Sequence, residues 1–226
     1  MKISIITLFP NMISGFINES ILKRAIDKGL VEIELINLRD FAQDKYKTVD
    51  DKPYGGGPGM VLRADVIWKA LNKLEVKNKK LKVKKILTSP KGKTFNQQLA
   101  INYSKLDHLI IIAGHYEGVD ERVLEYVDED ISLGDFVLTG GEIVAASIID
   151  SVVRLIPGVL KKSEATIEES FSKTYPLEYP QYTKPYEFEG KKVPQILLSG
   201  DHKKIKEWRL KKSYDLAKKL RPDLLK

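Results

Sequence analysis

Four segments of the chain carry more glycine and charge than a structural framework requires: VDDKPYGGGPGM (49–60), TSPKG (88–92), AGHYEGVDER (113–122) and SLGDFVLTGGE (132–142). The last three follow, or lie at, the end of a predicted strand. Glycine there lets backbone approach a ligand closely and offers unblocked N–H and C=O groups, which suits a nucleotide-like molecule. One cluster alone, Gly55, Gly56, Gly57 and Gly59, reads as an irregular turn; several converging on one sheet edge read as a ligand site. The familiar nucleotide signatures are missing. GGGPGM lacks the Lys-Ser/Thr ending of a phosphate-binding loop, and no G-x-G-x-x-G follows the first strand. ATP and NAD are therefore unsupported, and a small cofactor gripped mainly by backbone, such as an adenosine derivative, stays open.

Nine acids lie in or beside these segments: Asp50, Asp51, Glu117, Asp120, Glu121, Asp135, Glu142, Glu168 and Glu169. Taken singly, such loop carboxylates read as solvated or capping groups. Arg154 differs, because it sits on a long apolar helix just before Pro157, where a guanidinium needs a partner. A structural ion pair and an active-site role both fit it. The chain has no cysteine, which removes disulfides, thiolate nucleophiles and cysteine-held metals. His108, His115 and His202 are far apart, so a zinc site would need an unusual mixture of ligands.

The elements that must position these residues alternate. Strands are predicted at 2–9, 31–38, 83–88, 108–113 and 135–138, with helices at 12–28, 65–76, 94–104, 119–126 and 142–156. That order implies an α/β fold: a parallel sheet with helices on both faces and ligands at the carboxyl ends of the strands. LIIIA (109–113) is apolar on both alternating sets, as a strand covered on both faces should be. After Pro157 and Gly158 the texture turns polar and rich in Pro and Tyr. Residues 1–160 read as the main domain, 161–176 as a linker, and 177–226 as a small basic domain with a short strand at 193–198 and a helical tail.

Charge is concentrated at the end. Residues 201–226 hold ten Lys/Arg and four Asp/Glu, +6 of the net +7. Apolar Ile205, Trp208, Leu210, Tyr214, Leu216 and Leu220 alternate with the cations, which reads as a helix that docks one face and offers the other to a polyanion. No run approaches the roughly 18 apolar residues of a membrane span. The opening MKISIITLF stops at Pro10 without a cleavage motif and reads as a buried strand. A cytoplasmic protein without membrane partners is the expectation.

At YGGGPGM, GHYEGVDER, SLGDFVLTGGE and RLIPGVL, and again at VPQILLSGDH, WRLKKS and RPDLL, the sequence closely resembles the bacterial tRNA (guanine-N1)-methyltransferases, the TrmD family. The resemblance spans essentially the whole chain. It implies a main domain with a C-terminal trefoil knot and a homodimer whose active sites lie at the subunit interface. The methyl of S-adenosylmethionine would go to the guanosine at tRNA position 37. By motif, the cofactor would lie against Thr88, Ser89, Pro90, Gly114 and Glu117, the run Leu133, Gly134, Asp135, Phe136, Val137 and Leu138, and Gly140 and Gly141. Asp50, Tyr54, Gly55, Gly57 and Pro58 would face the substrate, with Lys203 and Arg209 on the tail.

The implied chemistry is physically coherent. The reacting ring nitrogen of guanine carries a proton that a carboxylate must remove. Arg154 would stabilise the charge passing to the neighbouring exocyclic oxygen. The family base is an aspartate, whereas this chain reads EESF and places Glu169 there. Either Glu169 serves after a small local shift or Glu168 takes the role, and Glu169 is the assignment made here. A magnesium requirement is also implied, with carboxylates and water as ligands. The competing readings are an RNA-binding relative that lost turnover and a knotted methyltransferase for another RNA.

Overall fold

The computed structural model describes residues 1–75, 78–161 and 166–225. The chain forms two compact units, Met1–Leu160 and Lys161–Lys226. The first runs β1 (Lys2–Thr7), α1 (Pro10–Ile17), α2 (Ser20–Asp27), β2 (Glu32–Asn37), β3 (Asp50–Asp51), β4 (Val61–Leu62), α3 (Ala64–Lys73), β5 (Val83–Thr94), α4 (Gln97–Tyr103), β6 (His108–Ile112), β7 (Glu129–Ser132) and α5 (Glu142–Val153). Five strands make one parallel sheet in the order β2-β1-β6-β5-β7. The α/β expectation holds.

Both faces of the sheet are covered because both alternating sets of the central strands are largely apolar. Ile3, Ile5, Ile86, Leu109 and Ile111 pack with residues of α1, α2, α4 and α5. Ile6, Leu87, Ile110 and Ile112 pack on the other face with Val66, Ile67, Ala70 and Leu71 of α3. Each fully buried Ile or Leu contributes about 2 kcal/mol.

Several boundaries differ from the sequence reading. The helix expected at 12–28 is broken in two, with Ser20 in the left-handed region at φ 53°; the unbroken apolar spacing hides a break made by Asn18 and Ser20, whose side chains favour non-helical backbone. The segment 119–126 holds a 3₁₀ helix at Glu121–Tyr126, started by Asp120, whose carboxylate accepts from Arg122 N–H at 3.0 Å. The strand expected at 135–138 is instead the edge strand β7, where buried Ile131 follows two acids. There Ser132 Oγ both donates to Gly134 O and accepts from Gly134 N–H, turning the chain off the sheet and leaving Phe136, Val137 and Leu138 exposed.

The second unit carries the hairpin β8 (Glu187–Phe188) and β9 (Lys191–Lys192), with Glu189 and Gly190 both at positive φ, followed by α6 (His202–Leu220). Segment 193–198 is a 3₁₀ turn at Gln195–Leu198 rather than a strand. Of the expected linker, residues 162–165 lie outside the described residues, and Tyr175 is buried against Tyr179. The expected apolar series of α6 is buried only in part: Ser213 and Ala217 are fully buried, Ile205, Trp208 and Leu216 are half-buried, and Leu210, Tyr214 and Leu220 are exposed. Small residues allow the close approach in which Ser213 Oγ donates to Leu177 O.

At the amino-terminal edge of the sheet, Ser4 Oγ lies 2.9 Å from His108 Nε2 and donates to Glu34 Oε2 at 3.3 Å, and Lys2 bridges Glu34 and Glu32. Burial, aided by Lys2, holds His108 below its usual pKa despite Glu34 and Glu32. The unfolded chain therefore binds a proton that the native one resists, and stability falls as pH drops below about 6.5 toward the native value. Urea midpoints at pH 7.5 and 5.5 should differ less in His108→Gln than in the parent protein. An unchanged difference would mean that other groups control the acid limb.

Candidate active site

Three loops meet at the carboxyl edge of the sheet. The first is the bulge inside β5, where pairing to β7 shifts register between Thr88 and Lys93 and residues 89–92 are left out of it. The second follows β6, and the third follows β7. Thr88 Oγ1 ties the first two, accepting from Gly114 N–H at 3.0 Å and donating to Ile112 O at 3.3 Å. The second and third are joined by Gly141 N–H donating to Gly114 O at 2.7 Å and by a backbone bridge between His115 and Gly140.

These approaches demand glycine. A Cβ on Gly141 would strike Thr88 Oγ1 and Gly114 N, and one on Gly114 would meet Thr88 O at 2.8 Å. Between the loops lies a cavity of about 980 Å³, including its open mouth. Thr88, Ser89, Pro90, Gly114, Glu117, Leu133, Gly134, Phe136, Val137, Leu138, Gly140 and Gly141 all line it; Asp135 does not. The lining also includes Tyr116, Asp130, Ile131, Ser132 and Thr139, which the sequence reading left out. Tyr116 and Thr139 stood inside the quoted motifs. Asp130 and Ile131 were hidden because β7 was placed too late.

The glycine-rich loop 52–60 is anchored beside this cavity. β3 pairs with β4, Leu62 bridges to Val119, and Glu117 N–H donates to Met60 O at 3.0 Å. Gly55, Gly57 and Gly59 have positive φ, and a side chain on Gly59 would run into Glu117. Tyr54 at the loop tip is fully exposed, and Asp50 is half-buried in β3. Beside the mouth, the Arg122 guanidinium holds the Asp120 carboxyl below its ordinary pKa.

Arg154 closes α5 in the first unit, its backbone N–H donating to Asp150 O at 3.2 Å. Glu169 belongs to the second unit, where its carbonyl accepts from Ser172 N–H at 3.3 Å. Lys203 is exposed on the first turn of α6, and the Arg209 guanidinium lies 4.6 Å from the centre of the Tyr179 ring with its Nε buried. Among the described residues no three His, Asp or Glu side chains converge to hold a metal. The described residues thus present no ready-made magnesium site. Nor is any described helix long and apolar enough to cross a membrane.

Comparison with known proteins bears on this geometry. The chain is 56% identical over 226 residues to the tRNA (guanine-N(1)-)-methyltransferase of Clostridium botulinum strain Eklund 17B, covering 100% of this chain and 93% of the relative. Enzymes of the same name from Clostridium novyi (54%, 100% and 92% covered) and Dictyoglomus turgidum (54%, 100% and 90% covered) are similarly alike. The family described as tRNA (Guanine-1)-methyltransferase TrmD matches residues 1–226, and the chain belongs to it.

Proposed function

We propose that this chain methylates ring nitrogen 1 of the guanosine at tRNA position 37, next to the anticodon, with S-adenosylmethionine held in the cavity at the sheet's carboxyl edge. The observation that carries the placement is the glycine wall of that cavity: where Gly114, Gly140 and Gly141 admit no side chain, backbone alone can face the ligand. When bound, S-adenosylmethionine supplies an electrophilic methyl on a sulfonium sulfur. The chain supplies the rest.

Thr88, Ser89 and Pro90 form one wall of the cavity, and Leu133, Gly134, Phe136, Val137 and Leu138 the other. Their apolar atoms exclude water from the ligand, which strengthens every polar contact inside. Asp135, beside that wall, keeps its place in the proposed cofactor loop. Glu117, pinned to the glycine-rich loop through Met60, faces the reacting end. Asp50, Tyr54, Gly55, Gly57 and Pro58 flank the incoming guanine. The Glu169 carboxylate takes the proton from ring nitrogen 1, and the Arg154 guanidinium stabilises the charge that passes to the exocyclic oxygen.

Lys203, Arg209 and the other cations of α6 attract the phosphate backbone, a grip that weakens as salt rises. In the proposed assembly two copies associate, each completing the other's site, and the main domain carries a trefoil knot. Exposed Met12 and Phe16 on α1 and Ile143 on α5 support an apolar contact between copies. A cytoplasmic location follows from a tRNA substrate.

Labelled methyl transfer to a tRNA transcript should require guanosine at position 37, and Glu169→Ala should lower kcat by at least about a hundredfold, the size expected for a lost general base. Transfer that survives in this variant moves the base to Glu168 or elsewhere. Bound cofactor with no turnover in the parent protein favours the binding-only reading. In Gly141→Ala the added methyl group displaces Thr88 or Gly114, and calorimetry should show S-adenosylmethionine affinity falling by at least about tenfold. Unchanged affinity would remove the cofactor from this wall.

A further inference from the structure

Glu142 is the one buried carboxylate among the described residues, only 1% exposed, and it opens α5 directly behind Gly140 and Gly141. Its Oε1 accepts from Thr7 Oγ1 at 2.7 Å, and Thr7 Oγ1 accepts from Phe9 N–H at 2.9 Å. Half of the carboxylate is thereby fixed to the end of β1. The other oxygen, Oε2, makes no hydrogen bond. Facing it at 3.7 Å is His115 Nδ1, also buried and also without a hydrogen-bond partner.

Two buried polar atoms left unsatisfied and aimed at each other are uncommon, because each loses its water without replacement. The imidazole cannot simply turn away. Phe9 lies 4.9 Å from it, ring centre to ring centre, and Tyr116 meets it edge-on at 4.7 Å. The adjoining backbone is Gly140, which leaves the gap clear; a Cβ there would strike both His115 Nδ1 and Glu142 Oε2. A movement of about 0.8 Å would bring the pair to hydrogen-bond length.

The pair joins the backs of two cavity walls. His115 belongs to the loop that carries Gly114, Tyr116 and Glu117, and its backbone bridges to Gly140 of the opposite loop. We propose that His115 and Glu142 are positioning residues for the methyl donor. The Nδ1–H···Oε2 bond is unmade in the free protein and made when S-adenosylmethionine fills the cavity, so that binding draws the two walls together. Thr7 is the fixed post against which this closure works. The proposal rests on the cofactor reading of the cavity given above.

Calorimetric dissociation constants for S-adenosylmethionine and cofactor-free thermal midpoints, measured on the same full-length variants, test it. His115→Leu removes the donor and should weaken cofactor binding about tenfold while leaving the cofactor-free midpoint close to that of the parent, because the bond is not made in that state. His115→Asn places an amide nitrogen where Nδ1 stood and should restore most of the affinity. Adding Glu142→Gln to His115→Leu should cause no further loss, as expected for two groups acting through one contact. Equal affinities of the Leu and Asn variants would overturn the proposal. So would a lowered cofactor-free midpoint with an unchanged dissociation constant, the signature of a purely structural pair. A parent protein that does not bind S-adenosylmethionine would overturn the cofactor reading itself, and with it the role assigned to the pair.

Discussion

Gly114 and Gly141 come so close to Thr88 and to each other that neither could carry a side chain, and the remainder of the first unit is arranged to keep them there. Two hydrogen bonds, Gly114 N–H to Thr88 Oγ1 and Gly141 N–H to Gly114 O, hold the crossing. Each is modest alone, about 1 kcal/mol net. Their effect lies in geometry: they join the middle of β5 and the end of β6 to the start of α5, so the cavity walls come from three places in the chain and share one set of contacts.

Such a crossing needs a rigid support. Burial on both faces of a parallel sheet provides it, since the central strands cannot shift without exposing isoleucines on one side or the other. The loops at the carboxyl edge inherit that rigidity while staying free of core side chains. The opposite edge is specialised differently, with buried Ser4 and His108 linked to the half-exposed pair Lys2 and Glu34. The cavity and this polar network thus occupy opposite ends of the same strands.

The alternation of strands and helices was legible because both periods are strong, and because the unbroken apolar run Leu109, Ile110, Ile111 and Ile112 suits a central strand covered on both sides. The crowded carboxyl edge was legible because several glycine clusters fall at or just after strand ends. What sequence could not reveal was contact between distant small residues. Gly114 and Gly141 are ordinary letters until Thr88 is set against them. Ser213 and Ala217 likewise read as neutral positions on α6, yet they are its fully buried residues, while Leu210, Tyr214 and Leu220 are exposed. β7 was misplaced because its acids, Glu129 and Asp130, mask an edge strand, whereas Phe136, Val137 and Leu138 imitate one. The partnership of Glu142 with His115 was invisible for the same reason as the glycine crossing, being made between distant parts of the chain and through the absence of a side chain at Gly140.

In the proposed function the crossing of Thr88, Gly114 and Gly141 is the floor of the methyl-donor site. Hydrogen–deuterium exchange of the full-length protein with and without S-adenosylmethionine tests it most directly. Added protection is expected in segments 88–92, 114–118 and 133–141, with the hairpin at 187–192 unchanged. Protection absent from those three loops and found elsewhere in the chain would contradict it.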